Sequence, residues 1–275
     1  MKCLICQSET KYYFSKSYTE KPLASLMDNI GAVDYYQCRE CGFTLSKTHC
    51  DMDKDTWETL NFEFHNHMEN RTGNEAEVNQ PPYLQQALFI KILSDNGIIN
   101  LDSSVDFAGG YGTMSNILKN YFDLNMLVYE PYNQSTDNNK YVNKNELGKY
   151  NTVFNSAVFE HITTREGFNE INNCVADDGC MILHTRICET VPNDPNWFYL
   201  NPPVHCAFHT NNSMEILMKQ WGYKSSVYSV EARSWVLLKK EHVEVKKKVD
   251  LINEQLQLEY LHYKPGFVDY WKTGF

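Results

Sequence analysis

The sequence predicts an α/β fold built around a parallel sheet, and three observations support this prediction. Residues 105–113 (VDFAGGYGT) indicate a buried strand that runs into a Gly-rich turn and then a helix. The apolar run at 126–132 carries an acid, Glu130, near its end. Two further apolar runs, at 150–162 and 179–187, continue the alternation of strand and helix that is typical of parallel sheets.

The Gly-rich turn indicates a nucleotide-binding site. Because glycine has no Cβ, the backbone at Gly110 and Gly112 approaches a ligand closely, and the N–H groups that open the next helix point towards it. In dinucleotide-binding folds an acid about 20 residues beyond the glycines accepts hydrogen bonds from the ribose hydroxyls, and Glu130 lies at that distance. The turn lacks the Gly-x-Gly-x-x-Gly spacing of NAD-dependent dehydrogenases, which disfavours that class.

These residues resemble the class I S-adenosylmethionine-dependent methyltransferases, and the resemblance extends over about 83–240. In the first motif of that family an acid precedes Gly-x-Gly-x-Gly, and Asp106, Ala108, Gly110 and Gly112 occupy those places. Ala108 departs from the pattern, since it replaces the first glycine. The resemblance implies a Rossmann-like seven-stranded sheet and S-adenosylmethionine as the cofactor.

Three later segments resemble further motifs of the family in the same order. Residues 154–162 (FNSAVFEHI) match the motif that lines the methionine end of the cofactor. Residues 174–187 match the helix end, turn and fifth strand, and residues 202–223 match a segment in which a His and an aromatic precede a helix. The cofactor-binding residues that the resemblance implies are Asp106, Ala108, Gly109, Gly110, Gly112, Glu130, Asn155 and Ser156.

Helical spacing of apolar residues predicts three helices around this sheet. One covers 83–96 and precedes the first strand. A second is expected to be capped by Ser213 and to end at Gly222. A third lies in the tail after residue 241, which ends in an aromatic-rich stretch. That tail is expected to pack on the N-terminal region, to cover the substrate pocket or to form a homodimer contact, and the sequence does not choose among these.

Length and charge exclude several function classes. The 275 residues can form one full α/β domain and a small appendage, and 42% of them are hydrophobic, which is enough for a core. The formal net charge of −10 argues against a general nucleic-acid partner, because such proteins neutralise phosphates with Lys and Arg. No apolar run approaches the 18 or so residues of a membrane span, and the N-terminus lacks the apolar core of a signal peptide, so a cytoplasmic protein with no membrane partner is expected.

Four cysteines near the N-terminus predict a zinc site. Cys3 with Cys6 and Cys38 with Cys41 form two CxxC knuckles, and two such knuckles complete a tetrahedral Zn²⁺ shell. The Tyr-rich segment between them suits a β-hairpin ribbon that is too short to make its own core, so the metal would supply folding free energy. Four thiolates leave no open position for a substrate, which favours a structural role.

The domain organisation follows from these motifs. The segment at 51–82 is polar and is interpreted as a surface linker. The alternative is a lid over the cofactor, formed by Trp57, Phe62, Phe64 and the histidines His65 and His67. The expected domains are a zinc-binding ribbon at 1–50, this linker or lid at 51–82, a methyltransferase domain at 83–240 and a helical and aromatic extension at 241–275.

Methyl transfer to a hydroxyl or a carbon acid requires a base, and His is the usual base near neutral pH. His205 is the first candidate, because it follows a Pro-Pro loop expected at the carboxyl edge of the sheet. It also resembles the base of sugar C-methyltransferases, which share the four-Cys module but have a further C-terminal domain. Glu160 and His161 resemble a Glu-His pair that many small-molecule methyltransferases carry after the fourth strand. The alternatives are a loop histidine that bonds the backbone, for His205, and a structural role at a helix N-terminus, for the pair.

The function predicted from the sequence is S-adenosylmethionine-dependent methyl transfer to a small molecule. A sugar or sugar nucleotide of cell-surface polysaccharide or secondary-metabolite biosynthesis is the expected acceptor. Two alternatives stay open. One is an rRNA methyltransferase with a zinc module, whose basic surface the composition does not show, and the other is a non-catalytic scaffold whose altered glycine motif no longer supports turnover.

Overall fold

A computed structural model describes residues 1–20, 23–69, 81–131, 140–239 and 242–269. Residues 70–80 of the predicted linker and the last six residues of the aromatic tail therefore lie outside the described residues. The chain forms two compact units: unit 1 comprises Met1–Gln80, Phe159–Gly167 and Arg186–Ile216, and unit 2 comprises Pro81–Val158, Phe168–Thr185 and Leu217–Phe275. Within the described ranges, no helix is both long and apolar enough to cross a membrane.

Helices and strands alternate along most of the chain. The helices are α1 (Leu23–Leu26), α2 (Lys47–Asp51), α3 (Lys54–Glu69), α4 (Tyr83–Asp95), α5 (Thr113–Phe122), α6 (Arg165–Asn173), α7 (Asn211–Gln220) and α8 (His242–Leu256). The strands are β1 (Thr10–Lys16), β2 (Val33–Cys38), β3 (Thr44–Ser46), β4 (Ser104–Phe107), β5 (Leu127–Tyr129), β6 (Tyr141–Val142), β7 (Tyr150–Ser156), β8 (Val175–His184), β9 (Ile187–Cys188), β10 (Ala207–Thr210), β11 (Ser225–Ser229), β12 (Ser234–Leu238) and β13 (His262–Pro265).

Unit 2 is built on a mixed sheet with the strand order β13-β11-β12-β8-β7-β4-β5-β6. The five strands from β8 to β6 in this order pair in parallel, and β12, β11 and β13 join through antiparallel pairs. The α/β fold with a parallel sheet is therefore confirmed. The chain runs outwards from β4 to β6 and then returns to β7, so the strand order reverses between β4 and β7. In open α/β sheets such a switch point opens a crevice at the carboxyl ends of the strands.

The sheet of unit 2 has eight strands, whereas the resemblance implies seven. The seven strands from β4 to β12, leaving out β9 and β10, account for that number, and β13 adds an eighth along β11. Within residues 242–269 the tail contains the helix α8 and then the edge strand β13. Phe267 stacks on Trp235 with ring centroids 5.4 Å apart, so this end is held by core packing.

Two of the predicted helices, α8 and α4, each bury one face in the core of unit 2. The tail helix α8 buries Val245, Val249 and Ile252. Helix α4 is confirmed between the bounds given above, but its buried face is centred on Phe89, Ile90 and Leu93. The helical spacing of Leu84, Ala87, Leu88 and Ile92 thus predicts the helix but not its buried face, because Leu84 and Leu88 are exposed.

Unit 1 contains a five-stranded sheet with the order β1-β2-β3-β10-β9. The N-terminal hairpin is therefore extended by β10, which pairs antiparallel with β3. The sheet has a hydrophobic core of its own, in which Phe14 and Tyr35 of the hairpin pack with Leu200, Val204 and Phe208. The hairpin does not form this core alone, because Leu200, Val204 and Phe208 come from a distant segment of the chain.

Helix α3 occupies most of the described part of the segment interpreted as linker or lid. Trp57, Leu60 and Phe64 pack into the core of unit 1. These positions recur at helical spacing and make an apolar stripe, which the polar composition of the segment concealed. Phe62 lies off that stripe and is exposed.

The cap of α7 differs from the predicted one. The helix begins at Asn211, and Thr210 is its N-cap, because the Thr210 hydroxyl accepts a hydrogen bond from the Ser213 backbone N–H. Ser213 returns the contact by accepting from the Thr210 N–H at 2.9 Å. The predicted end is confirmed, since Gly222 adopts φ 78° and Tyr223 N–H bonds back to Met218.

Candidate functional site

The glycine turn, residues 108–112, follows β4 in unit 2 and opens α5. Ala108, Gly110 and Gly112 have φ values of 58°, 53° and 68°. This left-handed conformation is free for glycine but costs an L-residue about 1–2 kcal/mol. Ala108 is thus the strained member of the turn, at the position of the first glycine in the motif that the sequence resembles.

Glu130 and Asp106 flank the glycine turn. Glu130 directly follows β5, and its Oε2 accepts a hydrogen bond from the Gly110 N–H at 2.9 Å. Asp106 is buried in β4, and a Cβ on Gly109 would lie 2.5 Å from its Oδ2, so only glycine fits there. Burial, and secondly repulsion from Glu130, raise the pKa of Asp106 to about 8. Two carboxylates are therefore held close to the turn, one of them as the neutral acid near pH 7.

Lys140 and Tyr141 support the glycine turn and were not found from the sequence. Lys140 Nζ donates to the Gly112 carbonyl at 3.2 Å and to Asn116 Oδ1 at 2.8 Å. The Tyr141 hydroxyl donates to the Gly110 carbonyl at 3.1 Å. Both residues lie at the two-residue strand β6, which is too short for a periodic pattern to reveal.

Asn155 and Ser156 end β7, the strand beside β4 at the switch point. Asn155 Nδ2 donates to the Ile182 carbonyl at 3.1 Å, while its Oδ1 is buried and has no hydrogen-bond partner among the described residues. Ser156 Oγ contacts His184 Nδ1 at 3.1 Å. The predicted cofactor residues therefore all lie at the carboxyl ends of β4, β5 and β7.

Glu160, His161 and His205 converge in unit 1, and we call them the Glu-His cluster. The first two belong to a 3-10 turn at Phe159–His161, and His205 lies in the loop before β10. A carboxylate oxygen and one nitrogen of each imidazole lie within 4.8 Å of one another. The two imidazole rings meet edge to face with centroids 5.1 Å apart. The structure thus brings together the three residues that the sequence proposed for catalysis.

Tyr199 orients two members of the Glu-His cluster and was also missed. Its hydroxyl donates to Glu160 Oε1 at 2.5 Å, and its backbone carbonyl accepts from His205 Nδ1 at 2.7 Å. Because a carbonyl only accepts, His205 Nδ1 carries the proton and its Nε2 keeps the lone pair. His205 therefore has the backbone bond of a loop histidine and a nitrogen that can still accept a proton.

Burial keeps the imidazoles of the cluster neutral. It lowers the pKa of His205 to about 4, although the bond to Tyr199 acts in the opposite direction. Burial, followed by repulsion from His205, lowers the pKa of His161 well below its usual value. Both side chains are consequently uncharged near neutral pH, which is the form that accepts a proton or binds a metal.

The four cysteines predicted as metal ligands also converge in unit 1. The Sγ atoms of Cys3, Cys6, Cys38 and Cys41 lie within 4.8 Å of one another. Hydrogen bonds from the Cys41 thiol and from backbone N–H groups, working against burial, lower the pKa of Cys3 to about 5. We call this group the four-Cys cluster, and its donor set and spacing match a tetrahedral S₄ site.

Comparisons with known proteins agree with the fold. Residues 83–226 match a family model described as a methyltransferase domain. No curated protein matches the sequence.

Several solved structures resemble the chain at low identity. The magnesium protoporphyrin IX methyltransferase of Synechocystis PCC 6803 is 17% identical, with a TM-score of 0.42 over 67% of this chain and 95% of its own. The plantazolicin methyltransferase BpumL is 10% identical, with a TM-score of 0.46 over 68% and 92%. A possible histamine N-methyltransferase of Thermotoga maritima is 11% identical, with a TM-score of 0.40 over 67% and 98%. At these values, what those proteins bind or methylate does not transfer to this chain.

Proposed function

We propose that this chain, which belongs to the methyltransferase domain family and is an S-adenosylmethionine-dependent methyltransferase, acts on a sugar or sugar nucleotide. The observation that carries the cofactor assignment is the Glu130 carboxylate, which lies at the glycine turn beside the switch point of a parallel sheet. The sugar assignment is supported by the combination of a four-Cys module with His205, which resembles sugar C-methyltransferases. Cell-surface polysaccharide or secondary-metabolite biosynthesis is the proposed setting.

The residues at the glycine turn fit an adenosine cofactor. A Cβ on Gly110 would meet no atom of the described residues within 4 Å, so the turn has open space beside it. The buried Asn155 Oδ1 has no hydrogen-bond partner among those residues, and a ligand donor would supply one. Glu130 would exchange its bond with Gly110 for the ribose hydroxyls. The proposed cofactor-binding residues are Asp106, Ala108, Gly109, Gly110, Gly112, Glu130, Asn155 and Ser156.

The four-Cys cluster is proposed to hold a structural Zn²⁺. Cys3, Cys6, Cys38 and Cys41 fill all four positions of a tetrahedral shell, so no position is left for an acceptor. The metal would link the first CxxC knuckle to the second, which begins at the last residue of β2. This link would stabilise the hairpin of unit 1.

The Glu-His cluster is proposed to provide the general base that removes a proton from the acceptor. The bound cofactor supplies an electrophilic methyl group on its sulfonium. His205 accepts the proton of the acceptor's nucleophile at Nε2, which its bond to Tyr199 leaves unprotonated. Glu160 and His161 each have a ligand atom within 4.8 Å of one in His205, and they would orient the acceptor or share the proton.

Calorimetric titration with S-adenosylhomocysteine tests the cofactor assignment. Wild-type protein should bind, and Glu130→Gln should weaken binding by about 10²-fold, because a charged hydrogen-bond acceptor contributes about 1.5–3 kcal/mol. The exposed Glu231→Gln is the matched control and should bind like wild type. Absence of binding by wild type would favour the scaffold alternative.

A screen of sugar nucleotides with a labelled methyl donor tests the acceptor class separately.

A further inference from the structure

The Glu-His cluster has the composition of a transition-metal site. Imidazole nitrogens together with one carboxylate oxygen are ligands that divalent first-row metals prefer, and the three ligand atoms already lie within 4.8 Å of one another. We propose that Glu160, His161 and His205 bind one divalent transition-metal cation, such as Zn²⁺, with ligands entirely different from those of the four-Cys cluster.

Neighbouring groups hold two of the ligands as such a site requires. Metal-binding histidines usually donate their second ring N–H to a carbonyl or a carboxylate, and His205 Nδ1 donates to the Tyr199 carbonyl at 2.7 Å. Binding carboxylates are usually hydrogen-bonded as well, and Glu160 Oε1 accepts from the Tyr199 hydroxyl at 2.5 Å. Tyr199 therefore fixes both the tautomer of the histidine and the position of the carboxylate.

His161 supplies an independent observation. Its Nδ1 is buried and has no hydrogen-bond partner among the described residues, although buried polar groups are normally paired. A cation bound by the cluster would give this imidazole a partner. Three protein ligands would leave at least one coordination position for water or a small molecule.

The consequence for activity rests on the proposed function, whereas the binding itself does not. A bound cation occupies the Nε2 lone pair of His205, the same lone pair that is proposed to accept the acceptor's proton. The cation and that proton therefore compete, and the metal-loaded cluster is the inactive form.

Co²⁺ titration of metal-stripped protein, with metal content measured after gel filtration, tests the site without cofactor or acceptor. Wild type should retain one equivalent of Co²⁺ more than His205→Ala. It should also bind this equivalent at least tenfold more tightly than Glu160→Gln does. The spectrum of wild type minus that of His205→Ala should show ligand-field bands without thiolate charge transfer, because both proteins load the four-Cys cluster equally. If His205→Ala fails to fold, by circular dichroism, His205→Gln and Glu160→Gln carry the comparison.

Two further variants separate ligation from a general loss of structure. His65, an exposed neighbour whose ring centroid lies 5.5 Å from that of His161, is outside the cluster, so His65→Gln should keep the additional equivalent. Tyr199→Phe should keep it with 10- to 100-fold weaker affinity, because only the hydroxyl is lost. Equal metal content in wild type, His205→Gln and Glu160→Gln would overturn the proposal, even if the protein transfers methyl groups.

Discussion

Unit 2 and unit 1 assemble their candidate sites in different ways. In unit 2 the glycine turn and Glu130 come from two consecutive strands, and Gly110 is 20 positions from its carboxylate partner. In unit 1 the contact between Glu160 and Tyr199 spans 39 positions and lies between short irregular segments. The first site is held by a regular sheet and the second by side-chain hydrogen bonds, so substitutions should affect the two in separable ways.

The largest effect is expected from removing a metal ligand of unit 1. Cys38→Ser should retain one equivalent of zinc less than wild type and lower the melting temperature by more than about 10 °C, because metal ligation contributes roughly 10 kcal/mol or more to such sites. Metal analysis and calorimetry measure both quantities. Cys174→Ser is the matched control, because Cys174 is a buried free thiol of unit 2 that lies outside the four-Cys cluster. Its replacement should leave the zinc content unchanged. A zinc content in Cys38→Ser equal to that of wild type would contradict the four-Cys site.

His205→Ala should reduce turnover by about 10²-fold or more, because a positioned base contributes about that factor. The affinity for S-adenosylhomocysteine should stay within about twofold of wild type, since the cofactor residues belong to unit 2. Initial rates with the acceptor found in the sugar-nucleotide screen, together with calorimetry, measure the two. Unaltered turnover would remove His205 from the role of base.

Asp106→Asn should change how stability depends on pH. The folded chain keeps a proton on Asp106 up to a pKa of about 8, whereas the unfolded chain releases it near 3.8. The folded state thus binds more protons between these values, and its stability falls as pH rises through them, by up to about 1.4 kcal/mol per pH unit. Urea unfolding from pH 5 to 8 should show a flatter dependence for Asp106→Asn. The exposed Asp102→Asn should keep the wild-type slope.

The smallest effect is expected at the strained position of the glycine turn. Ala108→Gly should raise the free energy of unfolding by up to about 1 kcal/mol, because relief of the left-handed conformation outweighs the entropy of the added glycine. Urea unfolding measures this change. A loss of stability greater than about 1 kcal/mol would show that the Ala108 methyl group contributes packing that exceeds the strain.

The sequence predicted the parts whose signal is local. The strands and glycine turn around Asp106 follow from short apolar runs and turn residues, and the convergence of the four cysteines follows from two CxxC knuckles. Tyr199 was missed, because nothing in its neighbourhood indicates that its hydroxyl meets Glu160. Helix α3 was missed because three apolar residues in a polar segment form its buried stripe. Pairing of β3 with β10 joins segments that no local pattern connects.

That last pairing has a consequence for synthesis on the ribosome. Leu45 of β3 pairs with Ala207 of β10, so about 160 residues must be added after Leu45 before the two strands can pair. At typical rates of elongation this takes roughly 8 to 32 s. During that interval the nascent hairpin exposes an unpaired edge. All four cysteines of the four-Cys cluster have been synthesised once residue 41 is added. Early binding of a metal ion would therefore hold the hairpin in register until β10 has been synthesised.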